Sequence, residues 1–159
     1  MASKHDRAVD GAENAVSLDT RLLEELDSAF ECAFDRAIEA LRATGPQADV
    51  DTRFAATLSA VLTAVAAQPD LSRLCLVEAP GLGANALASK DTGLQRFVDL
   101  LDRELIATRG SEPAPLVAEM AVGGIYEVLQ RIARKGETSS APELAPGLAE
   151  LWLPMLRGR

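Results

Sequence analysis

Apolar residues recur in steps of three and four from Leu18 to Leu41, at Leu18, Leu22, Leu23, Leu26, Phe30, Ala33, Phe34, Ala37, Ile38 and Leu41. Glu24, Glu25, Asp27, Glu31, Asp35, Arg36 and Glu39 lie between them. That spacing predicts one long amphipathic helix, capped near Ser17 or Asp19 and stopped by Gly45 and Pro46. Residues 1–16 carry no such stripe. A disordered or frayed tail is expected there, with the folded domain spanning 17–159.

A second helix is expected from Asp49 or Asp51, carrying Phe54, Leu58, Val61, Leu62 and Val65. No charge falls between Phe54 and Ala67, which predicts a central, largely buried helix. Pro69 suits the first turn of a third helix, with Leu71, Leu74 and Cys75 inward and a break at Pro80, Gly81 and Gly83. A fourth helix covers 84–108, with an apolar stripe at Leu94, Phe97, Val98, Leu101 and Leu105 and a break expected around 90–93. A fifth runs over 113–134, ended by a cation and a glycine, Lys135 and Gly136. The last, 142–157, carries Leu144, Leu148, Leu151, Trp152, Leu153 and Leu156. Strand signals are nearly absent and no internal repeat is evident. The predicted architecture is an all-α bundle of about six helices.

Composition narrows the function. With 48% apolar and only 4% aromatic residues, the core must be built mostly of Leu, Ala and Val. The net charge of −8 argues against a nucleic-acid grip by this chain, since phosphate binding needs clustered Lys and Arg. No apolar run reaches the ~20 residues of a membrane span, and the polar N-terminus has no signal-peptide core. A cytoplasmic protein without membrane contact is expected. Cys32 and Cys75 lack metal-ligand spacing and read as small buried hydrophobes.

Candidate chemistry is sparse. The segment PGLGANA at 80–86 has G-x-G-x-x-A spacing, but no strands exist to build a dinucleotide fold around it, so it reads as a helix-breaking loop. His5 is the only histidine, leaving Ser139 and Ser140 without an activating base. Glu24 and Glu25 are adjacent and diverge around a helix, so they form no acid–base pair. No catalytic residue, metal or cofactor is predicted. Glu78 and Glu119 flank apolar segments, where a carboxylate either orients a ligand or lies exposed. Gly123 and Gly124 fall inside a helix at roughly 1 kcal/mol each, which calls for an offset such as close approach of another helix or room for a ligand. Tyr126 beside them is suited either to a ligand hydrogen bond or to the edge of the core. Around Trp152, the apolar residues exceed what one core face needs, which points to a partner surface.

Four segments carry a family resemblance. DTRLLEELDSAFECAFDRAIEAL resembles the first long helix after the DNA-binding headpiece of TetR-family transcriptional regulators. AAQPDLSRLCLVEAPGLGANAL is similar to that family's next helix junction, and LVAEMAVGGIYEVLQRIARKG with ELAPGLAELWLPML to its last two helices. The resemblance covers about residues 17–157 and rests on the order and spacing of segments, not on an invariant motif. It implies a TetR C-terminal-domain-like bundle that binds a ligand and dimerises. A homodimer is then expected through the last two helices, with Gly123, Gly124, Leu148, Leu151 and Trp152 at the interface. An effector pocket is implied among the middle helices, lined by Phe54, Leu58, Leu62, Leu74, Phe97, Val98, Met120 and Tyr126. Few polar groups fall among these, so an apolar or aromatic small molecule is the expected effector. A full regulator of this family begins with a three-helix headpiece, whereas 16 residues precede the first long helix here. The expected function is therefore a sensing and dimerisation domain without its DNA-binding headpiece. The alternative is a headless helical interaction protein that heterodimerises with a full-length regulator.

Overall fold

In a computed structural model, residues 4–109 and 116–157 are described, with side chains placed for 20–108 and 116–157. Six α-helices occur among them: α1 (Lys4–Thr44), α2 (Val50–Ala67), α3 (Pro69–Arg73), α4 (Ala84–Arg109), α5 (Val117–Arg134) and α6 (Ala145–Leu156). A π-helical turn, Leu74–Glu78, and a 3-10 turn, Ala79–Gly81, lead from α3 to α4. A 3-10 segment, Thr138–Leu144, joins α5 to α6. No strand occurs among the described residues, so PGLGANA closes a turn and starts α4, with Gly83 at a φ of +97°.

α1 departs from expectation at its start: it begins at Lys4, not near Ser17. Residues 4–16 mix charged and polar side chains with three alanines and have no apolar stripe. Extending an existing helix fixes one residue per hydrogen bond gained, so a polar extension costs little once the amphipathic part has formed. His5 falls in this extension, outside the described side chains. The start expected for the fifth helix, at Pro113, lies outside the described residues.

α2 is capped by Asp49, whose carboxylate accepts from Thr52 N–H at 2.8 Å. That bond is the main reason the Asp49 carboxyl is held below its ordinary value. α1 packs on α2 and α4, while α2 also meets α6 and the 3-10 segment. α2 is less buried than its lack of charge suggests. Phe54, Leu58 and Leu62 are buried, but Ala55, Ser59 and Thr63 form an exposed edge. It is long and apolar enough to cross a membrane by length and composition, yet its large residues supply the core. Main-core packing joins Leu62 to Val117, Leu129, Ile132, Leu148 and Leu156. Smaller clusters sit between α1 and α4, around Ala37, Leu41 and Leu100, and under the π-helical turn, around Leu26, Cys75 and Ala86.

The break expected around 90–93 is absent, and α4 is continuous. Gly93 serves packing instead: a Cβ there would lie 2.5 Å from Phe30 Cγ. Gly124 does the same on α5, where a Cβ would lie 2.5 Å from Trp152 Cζ2. Nothing lies within 4 Å of a Cβ at Gly123. Gly123→Ala should therefore stabilise the protein by up to about 1 kcal/mol, and Gly93→Ala should destabilise it by about 1–3 kcal/mol. Urea unfolding of the two variants checks this; equal effects of one sign would contradict the packing role of Gly93. α5 ends in a Schellman arrangement, with Gly136 at a φ of +74°. Glu137 N–H donates to Ile132 at 2.9 Å and Gly136 N–H to Ala133 at 3.0 Å.

Candidate ligand-binding site

The smaller clusters and the main core do not close on each other. Between them runs a cavity of about 180 Å³, walled by α1, α2, α3 with its π-helical turn, α4 and α5. Its wall is almost wholly aliphatic and aromatic. Helical phase decides which residues reach it. On α2 the wall takes Phe54, Leu58, Val61 and Val65; on α4, Leu94, Phe97 and Leu101; on α5, Val122, Ile125, Tyr126 and Leu129.

Four residues expected in the pocket, Phe54, Leu58, Phe97 and Tyr126, stand on this wall. The other four do not. Leu62, Leu74 and Val98 each sit one residue from a wall position, which turns a helical side chain by roughly 100°, and all three are buried in core packing. Met120 sits two residues before Val122, on the far side of α5, and is 53% exposed. Neither acid flagged from the sequence reaches the cavity: Glu78 pairs with Arg73 at 3.1 Å, and Glu119 is exposed.

The charged groups on the wall are Arg53 and Glu104. Arg53 Nε and Nη2 donate to Glu104 Oε2 at 2.7 and 2.5 Å, and Nη1 donates to the Gly45 carbonyl at 2.8 Å. The two side chains are only 15% and 23% exposed. This fork ties α2 to α4 and to the end of α1. Sequence signals for it were present: Arg53 is the last charge before a chargeless run, and Glu104 interrupts the stripe Phe97, Leu101, Leu105.

At the opposite end the wall is polar but uncharged. Gln68 Nε2 donates to Cys32 Sγ at 3.8 Å, and Ser72 Oγ to the Val65 carbonyl at 2.8 Å. Tyr126 Oη donates to the Cys75 carbonyl at 3.4 Å. That carbonyl needs a partner. Ala79 N–H reaches back five residues to Leu74, and the same pattern would pair Cys75 with residue 80, a proline without an N–H. The tyrosine fills the gap.

Burial pushes the Cys75 thiol up to about 12. Burial first, and then Cys75, push the Tyr126 phenol up to about 12 as well. Both groups are neutral when protonated, and the folded chain holds these protons longer than the unfolded one. Their contribution to stability is complete below about pH 9 and is lost as pH rises toward 12. Melting temperature should fall across that range, and Cys75→Ala should flatten part of the fall. A profile unchanged to pH 11 would contradict the burial of both groups.

Residues assigned from the sequence to an intersubunit contact divide in two. Trp152 packs against Gly124 of its own chain, and Leu148 is buried in the main core. Their contacts are thus within one chain: the short 3-10 connection folds α6 back onto α5. Gly123 is exposed, and Leu151 is 63% exposed. Leu116, the residue that precedes α5, and Met120 on it, with Leu151 and Met155 on α6, are exposed large apolar residues at four-residue spacing.

No group of three or more potential metal ligands occurs among the described residues. Fold and site together define a helical bundle built around an inter-helix apolar cavity. Compared with family models, characterised proteins and solved structures, the chain matches none of them.

Proposed function

We propose that this chain is the ligand-sensing and dimerisation domain of a TetR-like transcriptional regulator. The observation that carries the reading is the continuity of α5. One face of α5 walls the cavity through Val122, Ile125, Tyr126 and Leu129. Its other side presents Met120 to solvent, as α6 presents Leu151 and Met155. A molecule in the cavity therefore touches the helix that a second copy would touch from outside. Binding that favours one position of α5 shifts the population of subunit arrangements, and in a complete regulator that changes the spacing of two DNA-binding headpieces. The effector is a small apolar molecule, matched to the wall. The net charge of −8 leaves nucleic acid to other parts of such a regulator.

A thermal-shift screen with apolar and aromatic molecules tests this reading. A true effector should raise the melting temperature by mass action, equivalent to about 2.7 kcal/mol at a hundredfold excess over Kd. Tyr126→Ala should reduce the shift and Met120→Ala should leave it intact. The reading fails if no molecule shifts the melting temperature, or if only Met120→Ala abolishes the shift.

A further inference from the structure

The shape and charge of the cavity specify more than apolarity. On α2 its wall runs from Val50 to Gln68, and on α4 from Leu94 to Thr108. At ~1.5 Å per residue these stretches span about 27 and 21 Å. The total volume, about 180 Å³, is little more than that of an engineered cavity that admits benzene, roughly 150 Å³. A space of this volume drawn out over most of two helices is a narrow channel, open to solvent along part of its length. A ring would use a fraction of its wall, whereas an extended hydrocarbon chain would use all of it.

Charge sets the headgroup. Arg53 and Glu104 neutralise each other at one end of the channel. A charged head there would leave one desolvated charge without a partner, a large penalty at a site this buried. Arg53 uses three of its five N–H donors on Glu104 Oε2 and the Gly45 carbonyl. Thr57 and Thr108, also on the wall, donate their hydroxyl protons to the Arg53 and Glu104 carbonyls. What this end offers a guest is therefore both kinds of partner: the remaining Nη1 and Nη2 hydrogens of Arg53 as donors, and Glu104 Oε1 and two hydroxyl oxygens as acceptors. An uncharged head that both donates and accepts, such as an alcohol or primary amide, fits this neutral pair, whereas a carboxylate would set a second negative charge beside Glu104.

We infer that the effector is an uncharged single-chain amphiphile, an alcohol or primary amide on an unbranched hydrocarbon, with its head at Arg53–Glu104 and its chain along α2. The inference rests on the sensing role proposed above and names the ligand class for the same site.

Calorimetry of the full chain with 1-alkanols below their solubility limits, with dodecanoate and with naphthalene, tests it. Each added methylene should tighten binding about fourfold until the channel is filled, and 1-dodecanol should bind at least tenfold more tightly than dodecanoate. Glu104→Gln should reverse that preference by leaving Arg53 unbalanced, with circular dichroism verifying that the variant stays helical. The chain-length series needs no variant and stands alone if the substitution unfolds the protein. Dodecanoate binding as well as the alcohol in the unaltered chain, or affinity independent of length, would overturn the inference. Naphthalene binding without the alkanols would overturn it while the sensing role stands, and binding of none of them would remove both.

Discussion

Replacing Gly124 with valine should destabilise the protein by about 3 kcal/mol and lower its melting temperature by roughly 6–12 °C. A Cβ at 124 already meets Trp152 Cζ2 at 2.5 Å and Cη2 at 3.2 Å, and the valine methyls add bulk beyond it. The indole cannot retreat cheaply, because it packs with the main core that joins α2, α5 and α6. Its Nε1 is buried without a hydrogen-bond partner, so the indole sits there for its volume. The neighbouring position is the internal control. A Cβ at 123 meets nothing within 4 Å, so Gly123→Val should change stability by less than about 1 kcal/mol, since valine is a better helix former than glycine. Combining Gly124→Val with Trp152→Leu should restore part of the loss, giving a coupling of about 1 kcal/mol or more. Equal effects at 123 and 124, or no coupling, would show that the glycine is not there for the tryptophan.

A second large effect is expected outside the core. Met120→Glu with Leu151→Glu should weaken self-association at least a hundredfold, about 3 kcal/mol, because each substitution buries like charges against its symmetry mate. Both side chains are more than half exposed in the single chain, so the helical fold should survive. The α5 surface supports pairing with a second copy. Glu119 lies in its first turn and Arg131 and Arg134 in its last, so two α5 helices running in opposite directions set acid against base. Sedimentation at micromolar concentration checks the change from dimer to monomer. A double variant that still sediments as a dimer would move the interface elsewhere. An unaltered chain that is monomeric would favour pairing with a different chain.

Helix positions were legible wherever a wide stripe announced them. α2, α4 and α6 lie close to where their apolar spacing puts them, because tertiary burial and helical period act on the same residues. Two features were not legible. The polar start of α1 has no stripe, since helix extension needs no buried face. The continuity of α4 through Gly93 was hidden because a glycine that breaks a helix and one that admits a phenylalanine read alike in sequence. Phe30, which fills that notch, is distant in the chain. The site was half legible. Periodicity identifies apolar residues but leaves an uncertainty of one residue in phase, and Leu62, Leu74 and Val98 each lie one residue from the cavity wall. Arg53 and Glu104 pair across 51 positions, a relation that only the packing of α2 on α4 creates. The tyrosine–carbonyl contact depended on a π-helical turn, which propensity does not distinguish from an α-helix.

Filling the cavity should move one subunit relative to another. Spin labels at Arg21→Cys on α1, in a Cys32→Ala background that leaves Cys75 buried, report it through the distance between the labels of two copies. The expected result is one defined intersubunit distance that shifts when a saturating cavity ligand is added, and that disappears in the Met120→Glu, Leu151→Glu variant. The same distance with and without bound ligand, or no intersubunit distance in the unaltered chain, would contradict a sensing and dimerising domain.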